Sequence, residues 1–241
     1  MKYDFDKITD RKHTNAIKYD LAAKRNKPLD AISLWVADMD FPTAPCIQKA
    51  LQEKALHGIF GYSRPDERYY SALKNWFKTQ HNFEFENEWV INTPGVCFAL
   101  ATSVKAFTKE GEGVLIQKPV YYPFFNIISS LNRKVVNNPL VLKNGHYEID
   151  FADFEEKIVS ENVKLFILCS PHNPGGRVWK KEELEKLAKI CLKHNVIVVS
   201  DEIHSDIIFE GNTHTVFATI SKEIAENSVI CTSPSKTFNL A

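Results

Sequence analysis

The sequence has no excess of charge of either sign. Its 241 residues include 30 lysines and arginines against 30 aspartates and glutamates, so the formal net charge is zero. A protein that binds nucleic acids generally carries a strong basic excess, because it must neutralise phosphates. The balanced charge therefore argues against a general nucleic-acid binder.

Long apolar runs are also missing. The longest of them, such as Leu165–Cys169, are far shorter than the roughly 20 residues that a membrane helix needs. The stretch Met1–Lys7 mixes charges and has no apolar core, so we expect no secretory signal. These two features predict a protein with no membrane partner.

Cysteines are few and scattered. They are Cys46, Cys97, Cys169, Cys191 and Cys231, and none form a CxxC pair. Zinc sites and disulfide frameworks show regular cysteine spacing, and the histidines show no ligand spacing either. We therefore expect no metal site, no structural disulfide and a reducing cytoplasm.

The rest of the composition is ordinary, with 44% hydrophobic and 25% charged residues. A helix is predicted to begin at Pro45, which suits a first turn, and to end before Gly58, which suits a C-terminal cap. A second helix is predicted over Asp66–Thr79, and a third over Lys181–His194. We see no internal repeat and no low-complexity segment.

Short apolar strands alternate with helices after Trp89. The predicted strands are Gly113–Gln117, Lys134–Asn137, Lys164–Cys169, Val196–Ser200 and Ser228–Thr232. Segments rich in Val, Ile and Leu are typical of strands buried on both faces of a parallel sheet. The alternation therefore predicts an α/β fold, with a mainly parallel open sheet flanked by helices.

Polar residues follow three of these strands. They lie in Ser170–Gly176, Asp201–His204 and Ser233–Lys236. Ligands of open α/β sheets bind beyond the carboxyl ends of the strands. We therefore expect an amide, a carboxylate, hydroxyls and an amine to share one crevice.

These three segments, in this order, resemble the motifs of fold-type I pyridoxal-phosphate (PLP) enzymes, the aminotransferase class I/II superfamily. The motifs are S-P-x-N-P-x-G, D-E-x-x-[YH] and S-x-S-K. Finer motifs resemble the MalY/PatB-type cystathionine β-lyase branch, whose members are C–S lyases. They are W-V-A-D-M-D-F at Trp35–Phe41, H-G-I-F-G-Y at His57–Tyr62 and S-D-E-I-H at Ser200–His204. The resemblance covers the chain from about residue 30.

The resemblance implies a role for each polar residue around the PLP ring. Lys236 would bind PLP as a Schiff base and later act as general base. Asp201 would pair with the pyridine nitrogen, and Asn173 would donate a hydrogen bond to O3′. His204 stands where other branches have a tyrosine near O3′, and Tyr121 would stack on the ring.

The cofactor phosphate needs hydrogen-bond donors. The resemblance implies that backbone N–H groups of Gly95, Val96 and Cys97 supply them, at the start of an apolar helix whose dipole also favours an anion. The hydroxyls of Ser233 and Ser235 would add further donors.

The resemblance also implies a homodimer, because Tyr62 would reach the phosphate of the neighbouring subunit. It assigns residues 1–40 to an N-terminal segment of the small domain or dimer arm, and residues 41–241 to the PLP-binding large domain. Family members continue beyond their lysine into a small C-terminal domain and a substrate-binding arginine. We therefore expect this chain to be truncated, with the small C-terminal domain missing.

The implied reaction is α,β-elimination of a sulfur amino acid, of the cystathionine or cysteine type, to pyruvate, ammonia and a thiol. An aminotransferase and an inactive truncated PLP-fold remnant remain as alternatives. Structural roles also remain open for four positions: Asp201 as a helix N-cap, Asn173–Gly175 as a plain turn, Tyr121 as core packing and Tyr62 as a buried aromatic.

Overall fold

The computed structural model describes residues 4–25, 27–28 and 30–241. These residues divide into two compact units. One contains the described residues as far as Arg64 together with Pro234–Ala241, and the other is Pro65–Ser233. The domain boundary that the sequence places after residue 40 stays a prediction.

A five-stranded parallel sheet forms the centre of the second unit. The strands of the described residues are, in chain order, β1 (Gly113–Ile116), β2 (Lys134–Asn137), β3 (Val141–Lys143), β4 (His146–Glu148), β5 (Val163–Cys169), β6 (Ile197–Asp201) and β7 (Ser228–Cys231). The sheet order is β2-β1-β5-β6-β7, and β3 and β4 form a separate antiparallel hairpin. The five predicted strands and their parallel arrangement are confirmed. The hairpin was not predicted.

Helices connect the strands and also occur in the first unit. In chain order they are α1 (Ile17–Lys24), α2 (Pro45–His57), α3 (Glu67–His81), α4 (Val96–Phe107), α5 (Pro123–Ser130), α6 (Phe151–Ser160), α7 (Lys181–Lys193), α8 (Lys222–Glu226) and α9 (Pro234–Thr237). Of these, α1, α2 and α9 belong to the first unit. Pro45 occupies the first turn of α2, and Gly58 ends that helix with a left-handed φ of 73°. The predicted start and end of this helix are therefore confirmed.

The core lies on both faces of the sheet. On one face Phe166 packs in a buried cluster with Leu187 of α7, and on the other Ile167 packs with Leu100 of α4. Successive residues of a strand point to opposite faces, so a strand covered on both sides must be apolar throughout. Each such side chain contributes about 1.5–3 kcal/mol when fully buried.

No helix in the described ranges combines the length and the apolar character needed to cross a membrane.

Candidate active site

The candidate site lies at the carboxyl edge of the sheet, where β5, β6 and β7 are neighbours. Asp201 is the last residue of β6, which lies between β5 and β7. It is in register with Cys169 of β5 and with Cys231 of β7. Residues in register on parallel strands present their side chains to the same face. The carboxylate therefore lies in a row between two buried thiols.

Asp201 is a buried carboxylate without a cationic partner in the described part of the chain. Its exposed fraction is 5%, and Oδ1 accepts a hydrogen bond from the Ile203 N–H at 3.2 Å. Burial raises its pKa to about 7, the Ile203 N–H opposes that shift, and repulsion from Glu202 adds to it. Turns rather than a helix follow it, so the N-cap alternative is wrong. A cationic ring nitrogen fits this position.

The loop that carries Asn173 leaves β5 beside Asp201. The Asn173 N–H lies 3.3 Å from Cys169 Sγ, so the strand end itself fixes this residue. A Cβ on Gly175 would lie 2.7 Å from His172 Nδ1, which explains why the tight turn requires glycine there. Burial lowers the pKa of His172 to about 4, so this imidazole is neutral near pH 7. The segment is thus a turn, and it holds Asn173 at the edge of the sheet.

The predicted phosphate-binding turn coincides with the N-terminus of α4. Gly95 is the N-cap residue, with a φ of 159° that side-chain-bearing residues rarely adopt, and no side chain caps the helix. The first N–H groups of a helix have no partner within it, and the helix dipole favours an anion there. The turn formed by Gly95, Val96 and Cys97 therefore fits a phosphate group.

Tyr121 lies within electrostatic range of Asp201 and of Cys97 in the first turn of α4. Its pKa is raised mainly by burial, and also by the nearby Cys97, Tyr122 and Asp201. The ring also meets that of Phe124 edge-on, with centroids 6.0 Å apart. Tyr121 is only partly buried, so one part of the ring packs on the core and another part remains exposed.

The remaining predicted residues are divided between the two units. His204 lies in the turns after β6, and Ser233 lies in the two-residue loop between β7 and α9. Ser235 and Lys236 belong to α9 of the first unit, where Lys236 Nζ donates to the Ala37 carbonyl at 2.8 Å. Tyr62, also in the first unit, is fully exposed, so the buried-aromatic alternative is wrong.

Sequence reasoning missed the role of Glu202. This carboxylate is buried on the opposite side of the strand from Asp201. It accepts hydrogen bonds from Ser200 Oγ at 2.8 Å, from His214 Nε2 at 2.8 Å and from the Phe217 N–H at 2.9 Å. Strand alternation, which sends adjacent acidic residues to opposite faces, was the available signal for it.

A second histidine–carboxylate pair extends this polar cluster. The rings of His214 and His81 meet edge-on, with centroids 5.7 Å apart. His81 Nε2 lies 2.7 Å from Asp206 Oδ1, which also accepts from Trp76 Nε1 at 3.1 Å. The cluster thus connects α3 to the turns that follow Asp201.

Replacing Glu202 by glutamine is expected to lower the free energy of unfolding by about 2–3 kcal/mol. Glutamine places an NH2 donor where a carboxylate oxygen now accepts, so a buried donor loses its acceptor. The matched control is Glu155→Gln, which also removes a carboxylate from a histidine, His194 at 2.8 Å, but at a partly exposed position. We expect the control to lose much less stability, because solvent screens an ion pair at such a position. Urea unfolding measures both, and equal losses in the two variants would contradict a structural role for the Glu202 pair.

Comparisons with known proteins agree on one family. A family model described as aminotransferase class I and II matches residues 30–241. Cystathionine beta-lyase PatB of Bacillus subtilis (strain 168) is 46% identical over 99% of this chain and 62% of its own length.

Two solved structures have the same fold as this chain. Cystalysin from Treponema denticola, whose crystal structure contains a pyridoxal 5′-phosphate cofactor, is 42% identical with a TM-score of 0.95, over 100% of this chain and 61% of its own. The PLP-bound C–S lyase from Staphylococcus hominis is 36% identical with a TM-score of 0.92, over 100% and 61% respectively. The chain therefore spans about three fifths of the length of the relatives it matches.

Proposed function

The chain belongs to the aminotransferase class I and II family, and on that premise we propose that it is the PLP-binding part of a carbon–sulfur lyase. The proposed reaction is α,β-elimination of a cystathionine- or cysteine-type amino acid to pyruvate, ammonia and a thiol. The observation that carries this proposal is the 46% identity to a cystathionine β-lyase over 99% of the chain. It is also the activity that the sequence motifs imply.

The geometry of the second unit supports PLP as the cofactor. A buried carboxylate with a raised pKa, Asp201, is suited to a protonated pyridine nitrogen, because each charge relieves the cost of burying the other. The uncapped start of α4 at Gly95 is suited to the phosphate. A ligand for this site needs a cationic group beside Asp201 and an anionic group at the start of α4, and PLP carries both.

When bound, PLP supplies an electron sink for the carbanion that forms at the substrate Cα. We assign Lys236 as the attachment residue and as the base that takes the Cα proton on Nζ. Asp201 keeps the ring nitrogen protonated, which keeps the sink effective. Asn173 and His204 are assigned to O3′, and Tyr121 to the face of the ring.

The remaining assignments concern the phosphate. Ser233 and Ser235 are proposed to donate their hydroxyls, together with the backbone of Gly95, Val96 and Cys97. The elimination itself needs no further protein nucleophile, because the thiolate leaves from Cβ as the Cα electrons move to form the new double bond.

A homodimer is part of the proposal, with Tyr62 reaching the phosphate of the neighbouring subunit. Large apolar side chains at the surface of the first unit support it, since such patches commonly mark interfaces. They are Leu51, Leu56, Ile59, Phe60 and Tyr62. Sedimentation velocity at micromolar concentration that gives only monomer would contradict the dimer. A cytoplasmic location is also proposed, in keeping with five cysteines that form no disulfide.

Product analysis with purified protein, PLP and cystathionine tests the activity. We expect pyruvate, ammonia and homocysteine in equal amounts, with no need for an added keto acid. Glutamate that forms only when 2-oxoglutarate is present, without pyruvate, would replace this proposal by an aminotransferase. The absence of any product and of any bound PLP would instead indicate an inactive remnant.

A further inference from the structure

Two segments of the first unit that are almost 200 residues apart in sequence are joined by hydrogen bonds. Lys236 Nζ donates to the Ala37 carbonyl at 2.8 Å. Three residues later, Asn239 accepts from the Met39 N–H at 3.1 Å and donates to the carbonyls of Met39 at 3.2 Å and Phe41 at 3.0 Å. The lysine segment is therefore attached to this backbone at Ala37 and again two and four residues further on.

An ion cluster also holds this backbone. Arg11 places Nη2 2.5 Å from Asp38 Oδ2 and Nη1 2.9 Å from Asp40 Oδ1. Lys18 is buried, and its Nζ lies 2.7 Å from Asp40 Oδ2 and 3.1 Å from the Asp38 carbonyl. Hydrogen bonding to Arg11 holds the pKa of Asp38 below its usual range, so the cluster is charged near pH 7. It fixes the two residues that follow Ala37.

The two sets of contacts meet at one atom. The Met39 carbonyl oxygen accepts from Arg11 Nη1 and from Asn239 Nδ2, at 3.2 Å in each case. A shift of either side chain therefore moves the backbone that the other one holds. Ala37 lies two residues before this carbonyl on the same stretch of backbone.

We propose that Arg11 and Asn239 are positioning residues that hold the Ala37 carbonyl as the acceptor that orients the Lys236 amine. The inference rests on the proposed function, in which Lys236 attaches the cofactor. A lysine has four rotatable side-chain bonds and loses much rotamer freedom when it is fixed. The hydrogen bond to Ala37 fixes the amine before the cofactor arrives, so attachment does not have to begin from a freely moving side chain.

The test variant is Asn239→Gly. Asn239 has a left-handed φ of 53°, which glycine adopts without strain, so the change removes the side-chain hydrogen bonds and leaves the backbone conformation accessible. We expect PLP to attach to the protein at least about tenfold more slowly, measured by borohydride trapping and intact mass. The visible circular dichroism per mole of attached cofactor should also fall, because this signal reports orientation and not the amount of folded protein. Deuterium exchange over residues 234–241 should be faster.

The matched control is Asn212→Gly. Asn212 also donates from Nδ2 to two backbone carbonyls, those of Phe209 and Glu210, but in a surface loop of the second unit. We expect its attachment rate to stay within twofold of the wild type. Asn239→Asp is a milder variant, because it keeps the acceptor for the Met39 N–H and loses the two donated bonds, and it should fall between wild type and Asn239→Gly.

The ion cluster is tested with Arg11→Gln, against Arg68→Gln, which removes an exposed arginine 2.7 Å from Asp66. Arg11→Gln should slow attachment as Asn239→Gly does, and the double variant should be little slower than the slower single one, since both side chains act on the Met39 carbonyl. Attachment rates within twofold of wild type in both single variants would overturn the inference. If wild type never attaches PLP, the proposed function fails, and unchanged exchange over residues 234–241 in Asn239→Gly would separately overturn the positioning role.

Discussion

Replacement of Lys236 by alanine is expected to abolish covalent attachment of PLP and to reduce the elimination rate by about 10³-fold or more. The amine has two proposed tasks, to bind the cofactor and to take the Cα proton, and loss of a general base alone typically costs about 10²–10⁴-fold. No other residue type forms this adduct readily. Borohydride reduction followed by intact mass and peptide mapping measures attachment, and pyruvate formation measures the rate.

Lys222→Ala provides the control for this variant. Lys222 is exposed and forms only a surface pair with Glu226 at 3.9 Å, so its loss should change neither attachment nor rate. A reduced PLP adduct that persists at full yield in Lys236→Ala would show that another lysine carries the cofactor. The assignment of Lys236 would then be wrong, even if lyase activity were found.

Asp201→Asn is expected to have two opposite effects. The affinity for PLP should fall by about 10²–10⁴-fold, because removing one partner of a buried ion pair typically costs about 3–5 kcal/mol. The protein without PLP should become more stable above neutral pH, because the variant no longer has to bury an ionised carboxylate. Few substitutions combine weaker cofactor binding with a more stable cofactor-free protein.

The pH dependence follows from the raised pKa of Asp201. The pKa is about 7 in the folded protein, against about 3.9 in an unfolded chain. The folded state therefore binds the proton more tightly. The stability that this carboxyl contributes is complete below about pH 4 and is lost as the pH rises through about 7, to a total on the order of 4 kcal/mol. Asparagine has no such loss.

Urea unfolding of the PLP-free proteins at pH 4 and pH 8 measures this effect. From pH 4 to pH 8, Asp201→Asn should become more stable relative to the wild type. Glu226→Gln, at an exposed site, is the control. Its free energy of unfolding should differ from that of the wild type by the same amount at both pH values. A constant difference between Asp201→Asn and wild type at both pH values would contradict the raised pKa. PLP titration by fluorescence measures the affinity separately.

The elements missed from the sequence have local causes. The β3–β4 hairpin has strands of only three residues, largely exposed, so it lacks the apolar pattern that marked the other strands. Its signal was the dipeptide Asn144–Gly145, with φ values of 50° and 79°, since Asn-Gly is typical of a tight hairpin turn. Helix α2 has apolar residues at helical spacing, Ile47, Ala50, Leu51, Ala55 and Leu56, but no residue of that helix is buried. Periodicity shows that a face is apolar and does not show what covers it.

The sequence by itself determined the five strands of the sheet, their parallel α/β arrangement and the family, because hydrophobic patterns and motifs are local properties of the chain. Only the tertiary structure decided that Cys169, Asp201 and Cys231 align in one row, since strand register depends on residues about 30 positions apart. The pKa of Asp201 follows from burial, which no local pattern specifies. The same holds for the Met39 carbonyl, which receives Arg11 from one end of the chain and Asn239 from the other.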